Sequence, residues 1–235
     1  MRPVVRGDKP KNKEGKVFAP TRYQEFRAYL IERIGTYCSY CERSLSHNIA
    51  VEHIRPKDSN PHLEKEWGNL LLACVNCNST KKDKPINLIE YCWPDKDNTG
   101  RAFVYSSAGR IQINTSLSEE QRNMALNMIE LVGLDKEPSD SVDVNPEQKD
   151  RRWRERRDTW IAAERCLEKL KKNNNQDFRE TIVEVAVARG FFSVWMGVFV
   201  SDLPMLKLLI EGFRGTSSDC YDSNCLLVPR PNGNL

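Results

Sequence analysis

Two cysteine pairs, Cys38-Ser39-Tyr40-Cys41 and Cys74-Val75-Asn76-Cys77, hold the clearest chemical potential in this sequence. A CxxC turn brings two thiolates within reach of one ion, and two such turns complete a tetrahedral four-sulfur site for zinc. One pair alone fits a redox motif equally well. Two pairs, each followed closely by polar residues, read as structural zinc, which supplies folding free energy to a loop-rich segment with little core of its own. The 32 residues between the pairs, Glu42 to Ala73, exceed the roughly 15–20 of an ordinary zinc ribbon. They carry Val51-Glu52-His53-Ile54-Arg55-Pro56-Lys57, and the second pair sits inside Trp67-Gly68-Asn69-Leu70-Leu71-Leu72-Ala73-Cys74 and Cys77-Asn78-Ser79-Thr80-Lys81.

The ordered series CxYC, EHIxPK, WxNLLLAC and CxxCNxxK resembles the HNH nuclease family with its ββα-metal fold, over about a fifth of the chain (Tyr37 to Lys84). Phosphodiester hydrolysis needs a base to deprotonate water and a cation to stabilise the pentacoordinate phosphate and the leaving oxygen. The resemblance makes His53 the general base, a role that suits a neutral imidazole. It makes Glu52 and Asn78 ligands of one catalytic divalent ion, and such oxygen donors suit Mg²⁺ or Mn²⁺. Many members carry Asp where this chain has Glu52; the extra methylene keeps the charge and moves the carboxylate. Asn69 corresponds to the residue that holds the base-bearing loop through backbone hydrogen bonds. Lys81 or Lys82 is expected near the scissile phosphate, with Arg55 and Lys57 as further nucleic-acid contacts.

The basic N-terminal stretch, the helix before the first pair and the long helical second half look like the HNH subunit of Septu and retron-associated antiphage systems. Phrases such as Phe191-Phe192-Ser193-Val194-Trp195 and Leu208-Leu209-Ile210-Glu211-Gly212-Phe213 carry this second resemblance. It implies a defence nuclease acting on DNA or RNA beside an ABC-type ATPase that contacts the arm, the C-terminal helices, or both. An RNA (tRNA)-cleaving effector and a catalytically silent zinc tether are the alternative readings.

The elements that must position these residues follow from the pattern along the chain. Residues 1–20 are rich in Lys, Arg, Gly and Pro and read as a basic extended arm, ordered only by packing or a partner. A helix with Tyr23, Phe26, Leu30, Ile31 and Ile34 on one face should stop at Gly35. Within a nuclease domain spanning 21–115, with its core at 37–84, a strand is expected near Asn48–Ile54, a helix from Cys74–Asn78, and strands at Phe103–Tyr105 and Ile111–Ile113. A helical region, 116–214, should open with a capping box of Ser116 and Glu119. It continues with a helix from Pro146 to Leu170, two helices near Phe178–Ala188 and Phe191–Val200, and a short one near Met205–Phe213. A loop-like tail, 215–235, closes the chain. The fold class is α+β, mostly helical, around a small zinc-stapled ββα core.

Composition narrows the setting. Of 235 residues, 39% are hydrophobic and 29% charged, as in ordinary globular proteins. No run of about 18 apolar residues occurs, so no membrane span is expected. Eight cysteines with no apolar signal segment point to a cytoplasmic protein with reduced or metal-bound thiols. Cys92, Cys166, Cys220 and Cys225 read as unligated, and His47 and His62 as loop residues. Residues 1–50 hold ten Lys/Arg against five Asp/Glu, and residues 145–173 ten against six, which marks two focused basic regions. In the second, Arg151 to Arg157 could meet phosphates, whereas Trp153, Trp160 and Leu167 share one helix face and read as core.

Overall fold

The computed structural model describes residues 1–45, 49–136 and 150–235. Its helices are α1 (Arg27–Ile34), α2 (Val75–Lys81), α3 (Glu119–Val132), α4 (Arg152–Lys172), α5 (Gln176–Arg189), α6 (Phe192–Val198) and α7 (Leu203–Gly212). Two small antiparallel pairs complete it: β1 (Ala50–His53) with β2 (Leu70–Ala73), and β3 (Phe103–Tyr105) with β4 (Ile111–Ile113). The fold is α+β and mostly helical. His47 and Asn48, and the expected helix start at Pro146, lie outside the described residues.

The β1–β2 hairpin and α2, which packs on β1, form the ββα unit. β2 is fully buried, Leu70 through Ala73, because α1 covers it. This explains why its sequence reads as a continuous apolar run and not as an alternation. One hydrophobic cluster gathers this unit with α1, α3, Trp93 and Phe103; a second gathers α4 to α7 around Trp195, Phe199 and Leu209, with Tyr37 reaching across to it. Helix α3 therefore packs with the ββα unit through Met124, Met128 and Val132, although its position in the sequence suggests the helical region.

Local chemistry sets the ends. Gly35 ends α1 at φ +77°. The capping box of α3 is formed by Ser118 and Gln121 and not by Ser116 and Glu119. Ser116 is instead held to the Asn114 side chain by two hydrogen bonds, an Asx arrangement that precedes the cap. Asn175 caps α5 and Asp202 caps α7.

Residues 1–6 do not extend from the fold. Arg2 is buried and donates to the carbonyls of Ile34, Phe213 and Arg214, while Val4 pairs with Thr216. Residues 10–18 fold back on themselves, with Lys11 bridged to Val17, and leave Lys11, Lys13 and Lys16 exposed. Among the described residues, no helix is long and apolar enough to cross a membrane.

Candidate active site and metal centre

The four sulfurs of Cys38, Cys41, Cys74 and Cys77 lie within 4.8 Å of one another, all buried. Cys41 Sγ and Cys74 Sγ are 3.6 Å apart. A tetrahedral ion with sulfur at about 2.3 Å has edges of about 3.8 Å, whereas a disulfide needs about 2.05 Å. The spacing is that of a metal site. Burial pushes the Cys41 and Cys77 thiols up, while hydrogen bonds from the neighbouring sulfurs hold the Cys74 thiol down, so the pocket favours one thiolate by itself and needs a cation to hold four. Cys74 caps α2, its sulfur accepting from the Cys77 N–H at 3.4 Å.

Guanidinium groups surround this cluster. Arg152, 1% exposed, donates to Cys77 Sγ at 3.0 Å and to the carbonyls of Val132 and Gly133 at the end of α3. Arg43 makes a two-pronged pair with Glu155 at 2.6 and 2.9 Å and donates to Asn76 at 3.0 Å. Arg152, itself paired with Asp150, thus brings a charged donor directly to a tetrathiolate centre whose net charge with zinc would be negative, while Arg43 reaches Asn76 between the second pair of cysteines. The pattern revises the reading of α4. Arg152 and Arg156 are its buried residues, with Thr159, Ala163 and Leu170, while Trp153 and Trp160 are only half-buried at its edges. These two arginines are therefore not available to phosphates. Their spacing with Thr159 and Ala163 is helical, but the chemistry that makes arginine a core residue, two carbonyls and a thiolate lacking donors, is invisible in the sequence.

His53 ends β1 and is 8% exposed. Its Nε2 lies 3.0 Å from the Glu64 carbonyl oxygen, which accepts only if Nε2 carries the proton. Nδ1 then holds the lone pair, and among the described residues it has no hydrogen-bond partner. Burial holds the imidazole below its usual pKa, opposed by the Glu64 carbonyl, so the neutral form prevails near pH 7. Tyr23 packs edge-on against the ring, centroids 4.5 Å apart, and Lys57 lies over the other ring of this pair, Tyr23, at 5.6 Å. Asn69 is buried and bridges the loop that follows His53: Oδ1 accepts from Arg55 N at 2.8 Å, and Nδ2 donates to Arg55 O at 3.0 Å and Leu63 O at 3.3 Å. Asn78 lies half-buried on α2, one turn before Lys81.

Lys81 is placed differently from the expectation of an open phosphate contact. It is 1% exposed; its ammonium lies 2.9 Å from Glu52 Oε1 and donates to the His53 carbonyl at 2.7 Å. Lys82, the residue after α2, has φ +52° and is exposed, so the turn sends it outward. Burial pushes the Glu52 carboxyl up, opposed by Lys81. A carboxylate and a carbonyl around a buried positive charge, with an amide one turn away, are the donor types a divalent ion takes. The site is chemically suited to a cation, and an ammonium already stands in it.

The cysteine cluster, the ββα unit and His53 all fall within one stretch that the comparisons with known proteins single out. Residues 38–84 match the family model for HNH endonuclease. The chain is also 35% identical over 95 residues to the Septu protein PtuB of Bacillus thuringiensis, a match covering 32% of this chain and 37% of that protein. The aligned part thus spans little more than a third of the relative's length.

Proposed function

We propose that this chain is a divalent-metal-dependent endonuclease, the effector of an antiphage defence complex in the cytoplasm. The observation that supports the reading is His53 Nε2 set 3.0 Å from the Glu64 carbonyl oxygen, beside the clasp formed by Asn69. With Nε2–H held by the Glu64 carbonyl, Nδ1 takes the proton from the attacking water. Asn69 fixes the backbone of Arg55 two residues away and so orients the imidazole without touching substrate. Glu52 and Asn78 would hold a divalent ion, which would supply charge stabilisation at the phosphate and the leaving oxygen. Arg55, Lys57 and the exposed Lys82 contact flanking phosphates. The four cysteines would hold a zinc ion, which would tie the turn before β1 to the start of α2.

The likeness to a Septu protein supports a partnership with an ABC-type ATPase. The exposed turn of residues 10–18 and the outer faces of α5 to α7 are the surfaces offered for it. Charge reversal at Lys11, Lys13 and Lys16 tests the first surface without disturbing buried Arg2 and Val4; unchanged co-purification with the ATPase removes that turn from the partnership. Incubating the purified chain, with and without the ATPase, with plasmid DNA and with tRNA in Mg²⁺ or Mn²⁺ tests the activity. Cleavage of either polymer supports the nuclease reading and names the substrate. Ion-dependent binding with no cleavage under any condition refutes it.

A further inference from the structure

We infer that Lys81 is a built-in occupant of the catalytic cation position, and that a divalent ion reaches Glu52 only by displacing its ammonium. The inference rests on the proposed metal role of Glu52 and goes beyond it. Glu52 is 4% exposed and Lys81 1%, so neither group is solvated enough to do without a partner. Nζ lies 2.9 Å from Glu52 Oε1 and 2.7 Å from the His53 carbonyl oxygen, which places it between two oxygens of the segment that bears the general base. Lys81 follows Asn78 by three residues on α2, which packs on β1, so the two side chains project from the same side of the helix. A doubly charged ion on the same carboxylate would stand against an ammonium at contact distance, and like charges this close in a buried site exclude each other. The two cations therefore compete, and each weakens the other by the same factor.

The consequence is a site closed at low free divalent ion, with Glu52 neutralised and the fold intact. At higher concentration Lys81 is expelled toward solvent. This also gives the long lysine chain, and not the shorter Asn78 amide, the role of sensing whether the ion is present.

The test is Mn²⁺ binding by titration calorimetry to the full zinc-loaded chain carrying His53→Ala, so that turnover plays no part. Lys81→Met keeps the aliphatic stem and removes the charge. It should bind Mn²⁺ tighter by a factor of about 5–150, the usual span of coupling between two sites. Adding Glu52→Gln should abolish the binding. Unchanged or weaker Mn²⁺ affinity in Lys81→Met, with binding still lost on Glu52→Gln, overturns the competition and leaves the metal role of Glu52 standing. Binding that ignores Glu52→Gln in both backgrounds overturns that metal role, and the competition with it. A second measurement uses the unaltered lysine: reductive methylation mapped by mass spectrometry should leave Lys81 protected without Mn²⁺ and label it at saturating Mn²⁺. Protection unaffected by the ion contradicts the inference independently of any variant's stability.

Discussion

Replacing Arg152 by leucine tests how far α4 and the four-cysteine centre form one structure. The guanidinium is buried and serves Cys77 Sγ at 3.0 Å, Val132 O at 3.0 Å, Gly133 O at 2.5 Å and Asp150 at 2.5 to 2.9 Å. Leucine fills part of the volume but leaves two carbonyls and a sulfur without donors and the Asp150 carboxylate, 13% exposed, without its cation. Breaking a buried charged pair by removing one partner costs about 3–5 kcal/mol. In a chain of this size each kcal/mol lowers Tm by about 2–4 °C, so the expected drop is about 6–20 °C. Loss of an outer donor to a metal ligand should also weaken zinc binding about ten-fold or more. Circular-dichroism melting and zinc release to a chromogenic chelator measure the two effects together. Arg154→Leu, two residues along the same helix and exposed, serves as the control and should stay within about 0.5 kcal/mol of wild type. If Arg152→Leu melts with wild type and holds zinc equally well, the guanidinium does not tie α4 to the centre.

Asn69→Ala should lower cleavage about 100-fold, since an imidazole misplaced by about 1 Å forfeits that much, while zinc content and partner binding stay intact; a wild-type rate would show that the clasp is dispensable. Cys74→Ser should lose zinc and unfold the 38–84 segment, seen as loss of the cooperative melt and protease sensitivity confined to that region; a folded, zinc-free variant would show that the metal is not structural. Burial raises the Asp202 carboxyl, but the two-pronged Arg179 pair at 2.7 and 3.0 Å and the Met205 N–H outweigh it and hold the pKa low. A depressed carboxylate stabilises above its unfolded pKa of about 3.9 and loses that contribution as pH falls through its folded value. Wild type should therefore exceed Asp202→Asn in urea stability at pH 7, with the gap closing below about pH 4; a gap that persists at lower pH contradicts the assignment.

The parts of this molecule that the sequence discloses are those governed by local or ligand chemistry. The cysteine pairs announce a metal because thiol spacing is set by the ion, and β3, β4 and the stop of α1 at Gly35 follow from short-range rules. The hidden parts depend on partners distant in sequence. Arg2 reads as an exposed arm residue, yet carbonyls at Ile34 and Phe213 bury it. Arg152 and Arg156 read as surface charges because nothing nearby in the sequence shows the acceptors on α3, the Gly109 turn and the zinc knuckle. Glu42 gives no signal at all, yet its carboxylate accepts from Ser193 N–H at 2.7 Å, Ser193 Oγ at 2.6 Å and Tyr105 OH at 3.1 Å, joining the first knuckle to α6 and β3. Lys81 falls within the motif, but only the approach of α2 to β1 reveals that it faces Glu52 and not solvent.

The central claim is that His53 supplies the base for phosphodiester hydrolysis in a zinc-held HNH domain. His53→Ala, prepared and assayed alongside wild type under identical conditions, should match it in zinc content and melting profile, and its cleavage of the polymer that wild type cuts should fall by about 10²–10⁴-fold. Cleavage at the wild-type rate by a folded, zinc-replete His53→Ala would contradict the account.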